Sequence, residues 1–171
     1  MIENSETAQP LEKRECLGQY FRVPADLDRM DRQRESFRIF LEEHGLGGKD
    51  REQWALVFTE AFVNAVRHGA DGGSAVAIEI AWMIRGDEVV LEITDPGLGP
   101  TGEEEARGVL PEDPMSERGR GLFLIHSFCD RCEHWTGPCG HRMVIARRHP
   151  GLQAEDKNRA LLDSVFEELS A

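Results

Sequence analysis

The chain has 171 residues, of which 40% are hydrophobic and 30% charged, which suits one globular domain with short extensions. Its 32 acidic and 20 basic side chains give a formal net charge of −12, and so acidic a surface disfavours broad binding to nucleic-acid phosphates. No apolar stretch approaches the roughly 20 residues of a membrane helix, and the polar start is unlike a signal peptide. We therefore expect a cytoplasmic protein that binds neither membranes nor, directly, nucleic acids.

We expect free thiols at Cys16, Cys129, Cys132 and Cys139.

The first part of the chain predicts a tail, a strand and two helices. Residues 1–15 are polar and predict a flexible tail, and apolar alternation over Cys16–Val23 predicts a strand. Helical spacing predicts one helix from Asp26 to Gly45 and a second from Asp50 to Gly69. In each helix the aspartate is expected to cap the N-terminus and the glycine to end the helix.

The rest of the chain predicts two hairpins, separated by a long connection and a helix. The connection, residues 96–118, is rich in Gly, Pro and Glu, and connections this long are usually functional or mobile. An amphipathic helix is predicted within residues 150–171, after a domain that spans 16–149. The order of elements predicts an α+β fold, a two-layer sandwich in which helices cover one face of a mixed sheet. The further elements are expected at 75–84, 88–94, 119–129, 131–136 and 141–148.

Three separated segments predict one ligand site. In the first, Glu60, Asn64 and His68 are four residues apart, so a helix presents them on one face among apolar neighbours. A cleft with ligand and metal would satisfy these groups, because the Asn64 carbonyl suits a hard cation such as Mg²⁺. The Glu60 carboxylate could accept a proton from a hydroxyl nucleophile. A polar helix edge that faces solvent explains the same pattern.

The second segment is Asp95-Pro-Gly97-Leu-Gly99, directly after an apolar strand. Glycines at alternate positions let the backbone approach a flat ligand and adopt positive φ. The Asp95 carboxylate could accept a hydrogen bond from the exocyclic amine of adenine, whereas guanine presents an oxygen there, so Asp95 would select adenine. A plain turn has the same composition.

The third segment, Glu117–Leu122, enters the predicted helix. Free amides at a helix N-terminus bind anions, and Arg118 and Arg120 would add charge-assisted contacts to phosphate oxygens. Its glycines, Gly119 and Gly121, are also typical of a tight turn. In chain order, the three segments would supply a metal ligand, an adenine acceptor and a phosphate cradle.

Together the segments resemble the N, G1 and G2 boxes of the GHKL (Bergerat-fold) ATPases. The form Glu-x-x-x-Asn-x-x-x-His-Gly is most similar to the bacterial anti-sigma-factor serine/threonine kinases, over about residues 19–148. The Glu-Arg-Gly-Arg-Gly stretch is one residue tighter than the common family form. The resemblance implies binding of ATP and Mg²⁺ under a flexible lid. It also implies phosphorylation of an anti-anti-sigma (STAS-domain) protein and inhibition of a sigma factor, and it leaves a homodimer open.

Carried over by motif position, the resemblance implies that Glu60 is the catalytic base and that Asn64 is the Mg²⁺ ligand. Asp95 would contact adenine and Arg118 the terminal phosphate, although the tighter stretch leaves open which arginine does so. His68 would have a structural role. The nucleotide-binding residues implied in this way are Asn64, Asp95, Gly97, Gly99, Arg118, Gly119, Arg120, Gly121 and Leu122.

Two other functions could use the same pocket. A non-catalytic ATP-binding switch would bind regulatory partners without phosphotransfer, but such a switch needs no base, so Glu60 favours the kinase. A histidine-kinase catalytic domain would need a phosphoacceptor helix pair before the sheet, and 16 residues precede Leu17 here. At 171 residues the chain is too short for the larger GHKL proteins, such as topoisomerases and chaperones, so we do not expect one of those.

A zinc site is a separate alternative. The sequence Cys129-x-x-Cys132-x-His134, followed by Cys139-x-His141, has thiol and imidazole spacing that can hold Zn²⁺. Against zinc, Cys129 would end a helix, whereas Cys132 and His134 would point inward from a strand as core residues do.

Overall fold

The computed structural model describes residues 9–10, 17–69, 76–100, 120–138, 140–150 and 152. These residues form six strands and three α-helices. The strands are β1 (Gln9–Pro10), β2 (Leu17–Pro24), β3 (Ala77–Arg85), β4 (Glu88–Asp95), β5 (Arg131–Gly137) and β6 (Gly140–Arg148). The helices are α1 (Met30–Glu43), α2 (Gly48–Gly69) and α3 (Arg120–Phe128).

The strands form one sheet in the order β1-β2-β3-β4-β6-β5, and each of its five pairings is antiparallel. The predicted α+β class is confirmed, but the mixed sheet is wrong. After β4 the chain crosses through α3 to β5, which runs in the same direction as β4, and β6 then returns between them. Because β6 separates these two strands, every neighbouring pair in the described part of the sheet is antiparallel.

Local signals place the ends of α1 close to their predicted positions. The Asp26 side chain accepts a hydrogen bond from the Asp28 amide at 3.0 Å and caps a short 3₁₀ turn, Leu27–Arg29, that leads into α1. Beyond the helix, Gly45 has a φ of 85°, the left-handed conformation that commonly ends helices.

The predicted N-cap of α2 is wrong by three residues, because the N-cap is Gly47. The helix begins at Gly48, and the Arg51 amide already donates to the Gly47 carbonyl at 3.0 Å. Asp50 therefore lies inside the first turn, where a carboxylate favours the helix because it faces the positive end of the helix dipole.

The main core lies between the helices and one face of the sheet. Trp82 of β3 is fully buried, and its ring centroid lies 4.5 Å from that of Phe21 and 5.2 Å from that of Phe37. Its indole N–H donates to Gln19 Oε1 at 3.2 Å, so the polar edge of this core residue is satisfied. A smaller apolar cluster on the other face contains Ala81, Met83, Val90, Val144 and Ala146.

Three sequence predictions concern the chain ends and the connection. Residues 9 and 10, inside the predicted tail, pair with Tyr20 and Gln19 of β2. The structure does not describe residues 101–118 of the predicted connection or residue 119, where the next helix is predicted to start. Residues 153–171 of the predicted C-terminal helix also lie outside the described residues. None of the described helices is long and apolar enough to cross a membrane.

A buried histidine joins α2 to the end of β6. The Trp54 indole N–H donates to His149 Nε2 at 3.0 Å, and His149 Nδ1 lies 3.9 Å from an Asp50 carboxylate oxygen. The indole can only donate, so this contact requires an unprotonated Nε2. Burial lowers the pKa of His149 below its ordinary value of 6.5, against the opposing effect of Asp50. The folded protein therefore holds His149 neutral.

We expect His149 to make stability fall in mild acid. Below about pH 6.5 the unfolded chain binds more protons at this residue than the folded chain, so stability is present above that pH and lost as pH falls towards the lowered pKa. A His149→Gln variant keeps an acceptor for the Trp54 indole but cannot titrate. Urea denaturation between pH 7.5 and 5.5 should give a shallower loss of stability in the variant. Equal slopes in the two proteins would remove His149 as a cause.

Candidate functional site

The first and third predicted segments meet where α2 passes the N-terminus of α3. A Cβ built on Gly121 would lie 2.7 Å from Glu60 Oε2, and 3.6 Å and 3.7 Å from the Nδ2 and Oδ1 atoms of Asn64. Any larger residue at position 121 would displace the Glu60 carboxylate. The glycine therefore permits a carboxylate, a carboxamide and the start of a helix to share one cleft.

The Asn64 carboxamide supplies an unsatisfied polar group in this cleft. Its Nδ2 atom is buried and has no hydrogen-bond partner in the part of the chain that the structure describes. Leaving such a group unpaired costs about 1–3 kcal/mol. Because the two terminal atoms of a carboxamide are interchangeable in assignment, the group can present either a donor or an oxygen ligand to a bound molecule. The donor set therefore fits a ligand with a hard cation.

The second segment joins the first at the C-terminal end of α2. Gly69 packs directly against the Asp95 side chain, and a Cβ built on Gly69 would lie 2.5 Å from the Asp95 Cβ. Asp95 ends β4 and is 6% exposed. The ends of α2 and β4 are thus in contact, so α2 touches both of the other predicted segments.

The Asp95 carboxylate is held on both oxygens. Its Oδ1 accepts a hydrogen bond from the Gly97 amide at 2.8 Å, and its Oδ2 lies 3.2 Å from Nδ1 of the buried His141. An ionised carboxylate has about four acceptor positions, so these contacts orient it and leave capacity for a further donor, such as an exocyclic amine.

The loop after Asp95 contacts the β5–β6 hairpin, which holds it in place. Gly99 has a φ of 72° and packs against the His141 ring, and the Thr136 hydroxyl donates to the Leu98 carbonyl at 3.0 Å. The predicted positive φ is confirmed at Gly99. The Leu98 side chain is 79% exposed, so the loop presents an apolar group at the rim of the cleft.

The structure describes some of the remaining predicted site residues and not others. Arg120 is the exposed first residue of α3, and the partly buried Leu122 packs on the core. Arg118 and Gly119 lie outside the described residues, as does the side chain of His68. The roles assigned to all the site residues stay predictions.

His141 and Gly69 have contacts that motif reasoning did not assign to them. The register of β4 and β6 places His141 directly opposite Asp95, so both side chains lie on the helix-covered face. Gly69 was assigned only as a helix end. The motif ends in His68-Gly69, and the absence of a side chain at Gly69 is the sequence signal that could have indicated a close approach.

Four of the five residues of the zinc alternative lie in the described part of the chain, where they are neighbours. His141 bonds to Asp95, and its Nε2 lies 3.0 Å from His134 Nδ1, whereas Cys139 lies outside the described residues. Burial, followed by the neighbouring His141 and His126, lowers the pKa of His134 to about 4. His134 is therefore a neutral imidazole near pH 7.

The profile of the histidine kinase-like ATPase domain matches residues 23–146. The chain therefore belongs to the histidine kinase-like ATPase domain family, and the family predicted from the sequence is confirmed.

Two curated relatives refine this comparison. Anti-sigma F factor from Bacillus thuringiensis (strain Al Hakam) is 34% identical over 79 residues, which are 45% of this chain and 54% of the relative. Anti-sigma F factor from Anoxybacillus flavithermus (strain DSM 21510 / WK1) is 37% identical over 76 residues, 43% and 52% of the two chains. The chain thus spans about half the length of the curated relatives it matches.

A solved structure has the same fold. A chain in the crystal structure of the SiaB-SiaC complex from Pseudomonas aeruginosa superposes with a TM-score of 0.57. The match covers 74% of this chain and 87% of the other, at 15% sequence identity. At that identity the likeness supports the α+β architecture alone.

We expect Gly69→Ala to destabilise the protein by about 1–3 kcal/mol, because the new methyl group must displace the Asp95 side chain or the end of α2. The matched control is Gly137→Ala at the exposed end of β5, since a Cβ there meets nothing within 4 Å. Chemical denaturation should place the control within about 0.5 kcal/mol of the wild type. Similar effects of the two substitutions would contradict the close packing at Gly69.

Proposed function

We propose that the chain binds ATP with Mg²⁺ and acts as a protein-serine/threonine kinase in a partner switch, with an anti-anti-sigma (STAS-domain) protein as its substrate. One observation carries the proposal: Glu60 and Asn64 meet the N-terminus of α3 at Gly121, a residue that no side chain could replace without displacing the carboxylate. The names of the curated relatives support a sigma factor as a second partner.

The α3 N-terminus suits the phosphates. The first four backbone N–H groups of a helix have no partner within the helix, and with the helix dipole they attract anions. The helix α3 begins at Arg120, beside the cleft, and is nine residues long. We propose that the amides from Gly119 to Leu122 hold phosphate oxygens and that Arg118 contacts the terminal phosphate.

The adenine end of the ligand would lie at Asp95. Gly97 and His141 fix the orientation of the carboxylate, so a donor on the base finds an acceptor that is already in place. Guanine presents an oxygen at the corresponding position and would be rejected, because two acceptors would face each other. Gly97 and Gly99 shape the rim of this pocket in the proposal.

Asn64 and Glu60 would divide the chemistry between metal and proton. Mg²⁺, when bound, neutralises charge on the phosphate oxygens, and the Asn64 side-chain oxygen would be its ligand from this chain. The Glu60 carboxylate would take the proton from the substrate hydroxyl. The hydroxyl oxygen bonds to the γ-phosphorus as the bond between the γ-phosphorus and the ADP oxygen breaks. General-base assistance of this kind contributes about 10²–10⁴-fold.

The second candidate function is an ATP-binding switch that changes partners without phosphotransfer. Every contact at Asp95 and at the start of α3 serves such a switch equally well. The position of the Glu60 carboxylate against Gly121 favours the kinase, because nucleotide binding alone gains nothing from an added negative charge beside the phosphates.

We expect Glu60→Gln to keep ATP binding and to lower phosphotransfer by about 10²–10⁴-fold, since the amide fills the same space but accepts no proton. Glu52→Gln is the matched control, because Glu52 lies on the same helix, exposed and paired with Arg38 at 2.7 Å. Calorimetry would measure ATP binding, and transfer of labelled phosphate would measure activity. Full transfer by Glu60→Gln would remove this residue from the mechanism.

We expect Asn64→Ala to weaken the binding of Mg-ATP itself, because it removes the proposed metal ligand. Titrations with and without Mg²⁺ separate this role from packing: the wild type should bind more tightly with the metal, and the variant should lose that difference. Nucleotide affinity that is intact and still depends on Mg²⁺ would count against the assignment.

The test of the partner starts from the native cell. The full chain is used to capture bound proteins, and each captured protein is then incubated with the chain and labelled Mg-ATP. A partner labelled on serine or threonine supports the kinase. A partner that ATP releases without labelling supports the binding switch instead.

A further inference from the structure

A cluster of two imidazoles and a thiol lies between the last turn of α3 and β5. Its members are His126, Cys132 and His134, and one ligand atom from each lies within 4.8 Å of the other two. Cys132 and His134 are two residues apart on β5, so both side chains project from the same face of the sheet. We call these three residues the thiol–imidazole cluster.

Part of this cluster already has the spacing of a metal site. The distance from Cys132 Sγ to His134 Nε2 is 3.6 Å. Zinc bonds of about 2.3 Å to sulfur and 2.0–2.1 Å to nitrogen, at a tetrahedral angle, separate the two ligand atoms by about 3.6 Å. The ligand atom of His126 lies within 4.8 Å of those of Cys132 and His134. This upper limit exceeds the separation of two zinc ligands by roughly 1 Å, and a rotation of the His126 side chain can remove that difference.

The hydrogen bonds behind His134 fix which of its nitrogens is free. The Asp95 carboxylate can only accept, so the Nδ1 atom of His141 carries the hydrogen and its Nε2 becomes an acceptor. His134 Nδ1 must then donate to His141 Nε2, across 3.0 Å. The lone pair of His134 is left on Nε2, the atom that faces the Cys132 sulfur. This is the tautomer of a metal-ligating histidine whose other nitrogen is held by an outer hydrogen bond.

His126 adds a second feature that packing does not explain. Its Nε2 atom is buried and has no hydrogen-bond partner among the described residues, and its ring lies nearly parallel to that of His134, with centroids 6.3 Å apart. An unpaired buried nitrogen costs about 1–3 kcal/mol in an ordinary core. A bound metal would satisfy it.

The geometry points to a Zn²⁺ site formed by His126, Cys132 and His134, with a fourth position open to water or a further ligand. Thiolate and imidazole together favour zinc over Mg²⁺ or Ca²⁺, which take oxygen ligands. His141 belongs to the outer contacts of this site, not to the ligand set.

Zinc binding would also change the thiol. In the metal-free protein the Cys132 thiol proton takes part in a hydrogen bond with Cys129. Coordination displaces that proton, because the thiolate is the ligand form, and one proton per metal is released to solvent.

The test uses the full chain, stripped with chelator under a thiol-free reductant and titrated with ZnCl₂ without nucleotide. The wild type should bind one equivalent and gain thermal stability, as expected for a ligand of the folded state. Cys132→Ser and His126→Gln should each weaken binding by at least about 10²-fold, whereas His149→Gln should stay within about threefold of wild type. Circular dichroism checks that each variant is folded.

Cobalt substitution identifies the sulfur. Co²⁺ bound to the wild type should give a near-ultraviolet thiolate-to-cobalt charge-transfer band, which Cys132→Ser should abolish and Cys129→Ser should keep. Absence of zinc binding, unchanged affinity in folded Cys132→Ser, or loss of the band in Cys129→Ser would each overturn this ligand set. Because no nucleotide is present, failure here leaves the proposed kinase function untouched.

Discussion

The buried carboxylate of Asp95 is the constraint on which the arrangement of the site depends. A charge taken out of water is costly unless hydrogen bonds replace the lost hydration, and here the Gly97 amide and His141 provide them. Gly69 completes the enclosure, because only a residue without a side chain lets α2 end against this carboxylate. One charged group thus fixes the relative positions of α2, β4 and β6, and with them the cleft between α2 and α3.

Much of the fold could be predicted because its signals are local. The strands expected at 75–84 and 88–94 match β3 and β4 closely. The helical segment that contains the 3₁₀ turn and α1 begins after a capping aspartate and ends before a left-handed glycine. The start of α2 was misplaced for a physical reason: aspartate favours both the N-cap and the first turn, and composition alone does not separate the two at Asp50.

The rest depends on distant contacts that spacing does not encode. The order of elements predicts a mixed sheet, and nothing in the sequences of β5 and β6 indicates which of them pairs with β4. Once β6 takes that position, His141 lies opposite Asp95, a pairing with no local signal. His126 similarly comes beside Cys132 and His134 only through the packing of α3 on β5, so a zinc motif sought along the sequence selected a different set of residues.

The position of β6 also has a consequence for the order in which the molecule forms. The last strand of the described sheet to leave the ribosome lies inside that sheet, between two strands made earlier. Until residues 140–148 emerge, β4 has an unpaired edge and β5 has no neighbour within the described sheet, which exposes both to pairing with other chains. Assembly of the sheet must therefore finish late, after translation has passed its final strand.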